Sequence, residues 1–177
     1  MNVNTGCKLS EDYELNLLVD VVKRSLEVLK HQSLMIFAES KKQVDRICEV
    51  LQKAEIKNLP YYQDTGMQGR QTTLQLFLSK ELPVMVCTNM AARGLDTMDV
   101  DHVIQFEFAK NVVDYIHRVG RTGRMGQRSG MVTNFIRKGD YDLEQRIRQM
   151  QESQEAMDKL ISRKRSFRKN IKRSGAG

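Results

Sequence analysis

Short, largely apolar runs recur along this chain, separated by segments whose apolar residues fall three and four positions apart. The runs are Ser33–Ala38, Pro83–Cys87, Asp101–Phe106 and Gly130–Ile136. A run of this kind suits a strand covered on both faces, as in a parallel sheet. Between the runs the period changes. From Glu11, Leu15, Leu18, Val19, Val22, Leu26 and Leu29 predict an amphipathic helix of about five turns, with Ser10 as its N-cap. A second helix opens at Ser40 and turns Val44, Ile47, Cys48 and Leu51 inward. Asn58–Tyr62 reads as a strand whose Pro60 points to a sheet edge. A helix near 67–79 is expected to bury Leu74, Phe77 and Leu78, and a short one spans Val112–His117. A charged helix follows over 140–169. Strands alternating with helices imply an α/β fold with a mainly parallel sheet flanked by helices. Ligands of such sheets bind at the loops beyond the strand C-termini. The loops after Ala38, Cys87 and Phe106 qualify, the last leading through the short helix into an arginine-rich stretch.

Residues 1–10 carry no periodic pattern and are expected to be a flexible lead-in; 11–155 form the domain, and 156–177 a basic extension. No apolar run approaches the roughly 18 residues that a bilayer requires, and the first residues lack the apolar core of a secretory signal. Cys7, Cys48 and Cys87 are odd in number and widely spaced. They read as free thiols of a reducing compartment, inside the cell, with nucleus, cytoplasm and mitochondrion all open. The net charge of +7 is local: seven basic residues and no acids follow Leu160, and the remaining 22 basic residues balance the 22 acidic ones. Any nucleic-acid site in the body must therefore be argued from particular residues.

The stretch Tyr115–Gly126 places Arg118, Arg121 and Arg124 at three-residue spacing, with Gly120, Gly123 and Gly126 among them. Guanidiniums so close repel one another, and each glycine costs a helix of order 0.5–1 kcal/mol relative to alanine. The combination makes poor packing. It suits a polyanion, because a guanidinium offers a planar fork to phosphate oxygens. Immediately after the strongest strand, Thr88 brings a hydroxyl to the strand end, Arg93-Gly94 a cation beside a permissive backbone, and Asp96 a carboxylate.

Taken together, Thr88-Asn-Met-Ala-Ala-Arg-Gly-Leu-Asp96 and Tyr115-Ile-His-Arg-Val-Gly-Arg-Thr-Gly-Arg-Met-Gly126 resemble motifs V and VI of DEAD-box RNA helicases. Met35-Ile-Phe-Ala-Glu-Ser40 resembles motif IV, and Arg70 lies seven residues before Phe77 as in the family's QxxR segment. The match covers residues 15–150 and is to the second of two RecA-like domains, a three-layer sandwich. The resemblance implies that Arg121 and Arg124 reach the γ-phosphate of ATP held by the other domain, Arg124 as an arginine finger, worth on the order of 10³–10⁵ in rate. It implies that Asp96 contacts the ribose, and that Arg118, with His117 beside it, docks on the partner domain's acidic motif. Thr88, Arg93 and Gly94 would hold RNA phosphates, with Arg70 and Ser40 as further contacts that bind strand without reading sequence.

There are departures. Tyr62-Gln63 stand where the family has His-Gly, Met67 replaces the glutamine before Arg70, and Asn89 replaces the usual aspartate after the motif V threonine. Neither a GxxxxGK[ST] phosphate loop nor a DExD box occurs in the 177 residues. ATP and Mg2+ would therefore be held mainly by an N-terminal RecA-like domain of the same or another chain, and the chain alone is expected not to hydrolyse ATP. Two other readings stay open: a non-catalytic RNA-binding or helicase-partner module, and a DNA translocase of the same superfamily. The tail suits a solvated extension, a non-specific RNA contact or a nuclear import signal.

Overall fold

A computed structural model describes residues 2–4, 10–89, 99–123 and 130–153. Arg93, Gly94, Asp96, Arg124 and the basic tail lie outside the described residues. The chain divides into two units, Met1–Asp140 and Tyr141–Gly177. In the first unit, strands β1 (Asn2–Asn4), β2 (Leu34–Ala38), β3 (Asn58–Tyr61), β4 (Val84–Thr88), β5 (His102–Gln105) and β6 (Met131–Ile136) form one sheet in the order β1-β6-β5-β2-β4-β3. Every pairing is parallel. Pro60 does lie on an edge strand, where its missing N–H breaks no inner ladder.

Alternation along the strands divides the core in two. Leu34, Ile36, Ala38, Val84, Val86 and Ile104 face α1 (Glu11–Lys23) and α2 (Lys41–Lys53). Met35, Phe37, Met85, Cys87 and Val103 face the other way, with Phe77 of α3 (Gly66–Leu78) packed among them. All five residues of β2 are buried, as a central strand covered on both faces requires. Each such aliphatic side chain contributes about 1.5–3 kcal/mol by leaving water. The helix starts follow the sequence: Ser10 accepts from the Tyr13 N–H and Ser40 from the Gln43 N–H. Ser40 thus serves as a cap. Cys48 and Cys87 are buried free thiols, and burial pushes each up to about 12.

Three expectations are corrected. The lead-in is not structureless throughout, because Asn2–Asn4 pairs with β6 in register Asn2↔Asn134; three residues are too few to show a period. The first helix does not stay α-helical for five turns. It widens into a π-helical turn over Arg24–Val28, which carries Ser25 inside and leaves Leu29 exposed. In α3, Thr73 is buried and Leu78 exposed, since Thr73 and Phe77 share a face one turn apart. The charged helix, α5, is described over Tyr141–Glu152. No helix among the described residues is long and apolar enough to cross a membrane.

Candidate functional site

The short helix α4 (Val112–Val119) follows β5 through a loop and organises the site. Asn111 caps it by accepting from the Asp114 N–H at 2.8 Å. Its inward face presents Tyr115, whose ring meets Phe108 at 5.7 Å, and one turn on, Arg118. Gly120 closes the helix with its N–H on the Ile116 carbonyl.

Arg118 is 1% exposed, the largest fully buried side chain among the described residues. Its guanidinium lies over the Phe37 ring at 5.1 Å. Four of its five N–H groups donate to described residues. Nε–H goes to Asn89 Oδ1 at 2.5 Å. One terminal nitrogen reaches Gln105 Oε1 at 3.1 Å and the Glu107 carbonyl at 2.6 Å, and the other reaches Glu39 Oε1 at 3.0 Å. Burial pushes the Arg118 guanidinium down from its ordinary value, and the Glu39 carboxylate draws it back up. A buried cation persists only when paired and hydrogen-bonded, and this one is. The acceptors come from the loops after β2, β4 and β5 and from Gln105 at the end of β5. The three loops singled out in the sequence therefore meet on one arginine.

Within the domain, the Arg118 fork faces acceptors from its own loops, an internal role that can coexist with docking. Neighbouring groups reinforce the seat. Glu39 Oε2 takes Lys110 Nζ at 2.6 Å, and the Glu39 N–H donates to Glu107 Oε2 at 2.6 Å. On the far side, Gln105 Nε2 donates to Asn134 Oδ1 at 2.9 Å, and Asn134 Nδ2 donates to Asn2 Oδ1 at 2.9 Å. Gln105, Asn134 and Asn2 sit at matched register positions on β5, β6 and β1. Glu39, Gln105, Glu107, Asn134 and Asn2 were not singled out from the sequence. The available signal was a glutamine inside a largely apolar run.

Arg121 is 2% exposed, with Nε donating to the His117 carbonyl at 3.1 Å. Its own carbonyl accepts the Val100 N–H at 2.8 Å, and the Thr122 hydroxyl donates to the Val100 carbonyl. Gly123 takes a positive φ of 71°, and Gly130 packs so close to Thr122 and Gly123 that a Cβ there would lie 2.6 Å from the Gly123 nitrogen. The described part of the arginine stretch is thereby tied to Val100, ahead of β5, and packed against Gly130, ahead of β6. Thr88 ends β4 in register with Ala38, next to the Arg118 seat through Asn89. Ser40 and Arg70 have no bond to Arg118: Ser40 caps α2, and Arg70 Nε donates to the Gly66 carbonyl at 3.3 Å. Between them Tyr62 donates to Asp45 Oδ1 at 3.0 Å, and Lys41 stands over its ring.

Comparison with known proteins agrees with this arrangement. The helicase conserved C-terminal domain family matches residues 15–126. DEAD-box ATP-dependent RNA helicase 22 of Oryza sativa subsp. japonica is 37% identical over 172 residues, covering 94% of this chain and 30% of its own length. The protein of the same name from Arabidopsis thaliana is 34% identical over 166 residues, covering 94% and 28%. The chain thus spans about 30% of these curated relatives. Among solved structures, the C-terminal domain of the DEAD-box protein Dbp5 gives a TM-score of 0.72 at 24% identity, over 84% of this chain and 83% of that one. The yeast DEAD-box splicing factor Prp28 gives 0.69 at 29% identity, over 84% and 32%.

Proposed function

The chain belongs to the helicase conserved C-terminal domain family, in the form carried by DEAD-box RNA helicases, and from that premise we propose that it is the half of an ATP-dependent RNA helicase that supplies arginines to a nucleotide held elsewhere. The observation that carries this reading is the convergence of the loops after β2, β4 and β5 on Arg118, one turn before Arg121. An N-terminal RecA-like domain, of the same or another chain, would hold ATP and Mg2+. Arg121 and Arg124 would meet the γ-phosphate across the interface, with Arg124 as the finger and Asp96 on the ribose. Arg121 starts from a buried position on the His117 carbonyl. Reaching a phosphate means exchanging that neutral acceptor for a charged one, which favours the move once an anion arrives. Docking on the partner domain would fall to Arg118 with His117 beside it, His117 lying on the partly exposed side of α4 and Arg118 acting from inside.

RNA would lie against Thr88, Arg93 and Gly94, extended by Ser40 and Arg70. These are hydroxyl, backbone and guanidinium donors, suited to phosphates and indifferent to base identity. Domain closure would bring RNA and ATP to one cleft, inside the cell. The test is Arg124→Ala in the complete protein. RNA-stimulated ATP turnover should fall by on the order of 10³ or more, with the fold retained by circular dichroism. Unchanged turnover would refute the reading.

A further inference from the structure

We infer that Asn89 and Glu39 are positioning residues: Glu39 holds Arg118 in place and Asn89 ties it to the end of β4, so that Thr88 and the phosphate-facing arginines that follow the helix shift together. The inference rests on the reading of the chain as the arginine-supplying half of an RNA-stimulated ATPase.

The geometry divides the labour. Glu39 balances the charge of Arg118, and its second oxygen is held by Lys110. Asn89 adds no charge. It accepts the one N–H that points along the Arg118 side chain, Nε–H, and it is the residue directly after Thr88. A pull at Thr88, the end of β4, therefore moves the acceptor of a buried donor. Leaving that donor unmatched is unfavourable, so the guanidinium follows. The backbone carries the movement onward, because the Arg118 carbonyl accepts the Arg121 N–H at 3.1 Å. Nothing on the path is soft: Arg118 is fully buried, stacked on Phe37 and at the end of a capped helix. Occupancy at Thr88 and placement of Arg121 are thus linked through two hydrogen bonds and one side chain.

Asn89→Ala removes the acceptor, Asn89→Asp retains it, and Glu39→Gln retains an acceptor while removing the charge. The complete protein carrying each change is assayed for ATP turnover with and without single-stranded RNA, giving a stimulation factor, and for melting by circular dichroism. Arg121→Lys serves as the check on the underlying reading. Asn89→Ala should lower the stimulation factor about ten-fold, in the range expected for mutations along a coupling path, and raise the RNA concentration for half-stimulation. Asn89→Asp should restore both to within about two-fold. Glu39→Gln should fall between, and it supplies the measurement if Asn89→Ala does not fold. A merely structural role would lower melting while both turnovers fell together, and an unchanged factor in Asn89→Ala or Glu39→Gln overturns the inference. Equal impairment in Asn89→Ala and Asn89→Asp overturns it as well. If Arg121→Lys leaves turnover unchanged, the reading itself fails and takes the inference with it; an impaired Arg121→Lys beside unaffected Asn89 variants removes the inference alone.

Discussion

Lowering the pH from 7 to 5 should destabilise this protein by about 2 kcal/mol through one side chain, His102. His102 begins β5 and is 1% exposed. Its Nδ1 lies 2.9 Å from Ser25 Oγ and its Nε2 2.9 Å from Thr133 Oγ1. The Ser25 hydroxyl is shared, lying 2.8 Å from His31 Nδ1, and the two imidazoles meet edge-on at 5.8 Å. Burial, and then the neighbouring His31, push His102 down from 6.5 to about 4. A histidine lowered in this way takes up its proton in the unfolded chain first. Stability is therefore full above about 6.5, declines as pH falls below it, and levels off below about 4. The whole gap is worth about 3 kcal/mol, and the part developed between pH 7 and 5 about 2 kcal/mol. Other groups titrate in the same range, so the measurement is a difference. His102→Gln removes the titration and keeps a polar side chain. Urea unfolding at pH 7 and pH 5 should show the parent losing about 2 kcal/mol more than the variant. The signal is far-UV circular dichroism, because the chain contains no tryptophan. Equal losses in the two proteins, or an NMR titration of His102 centred near its ordinary value, would refute the reasoning.

Three further outcomes are expected. Gly130→Ala should cost about 1–3 kcal/mol by overpacking against Thr122 and Gly123, read as a lowered urea midpoint. Glu55 follows the end of α2 with a φ of 61° and an exposed side chain. Glu55→Gly should relieve left-handed strain of about 1–2 kcal/mol, offset by the freedom glycine gains on unfolding, for a net rise in melting temperature. Glu14, 7% exposed, holds Arg137 through both carboxylate oxygens, the shortest contact being 2.6 Å. Glu14→Ala leaves that half-buried arginine unpaired and should cost about 2–4 kcal/mol by denaturant titration.

Much of the fold was legible because β2 and β4 are buried by apolar residues in nearly unbroken runs, and because Ser10 and Ser40 announce their helices. Leu29 and Leu78 misled for one reason: helical periodicity says which residues share a face but not where the regular helix stops. A π-helical turn in one case and a helix end in the other moved them into solvent. The arginine stretch stands out in the sequence by its three-residue spacing. Its interior was not legible. That Arg118 would turn inward while Glu39, Asn89 and Gln105 gathered round it depends on three loops separated by dozens of residues. Glutamate 39 reads in sequence as an ordinary surface charge after a strand. Only the parallel register that sets β2 between β4 and β5 brings it to the guanidinium.

The row of amides behind Arg118 has a direction. A guanidinium can only donate, so Gln105 must turn its oxygen toward Arg118 and its NH2 group away. Asn134 must then offer oxygen to Gln105 and NH2 to Asn2, and Asn2 in turn presents oxygen. One cation thus sets the sense of three side chains on three strands, and none of them can rotate alone without setting two donors or two acceptors face to face. The edge strand near the start of the chain is consequently held in a sense dictated by an arginine more than a hundred residues later. Removing that arginine would let the row reverse only as a unit, from Gln105 outward to Asn2.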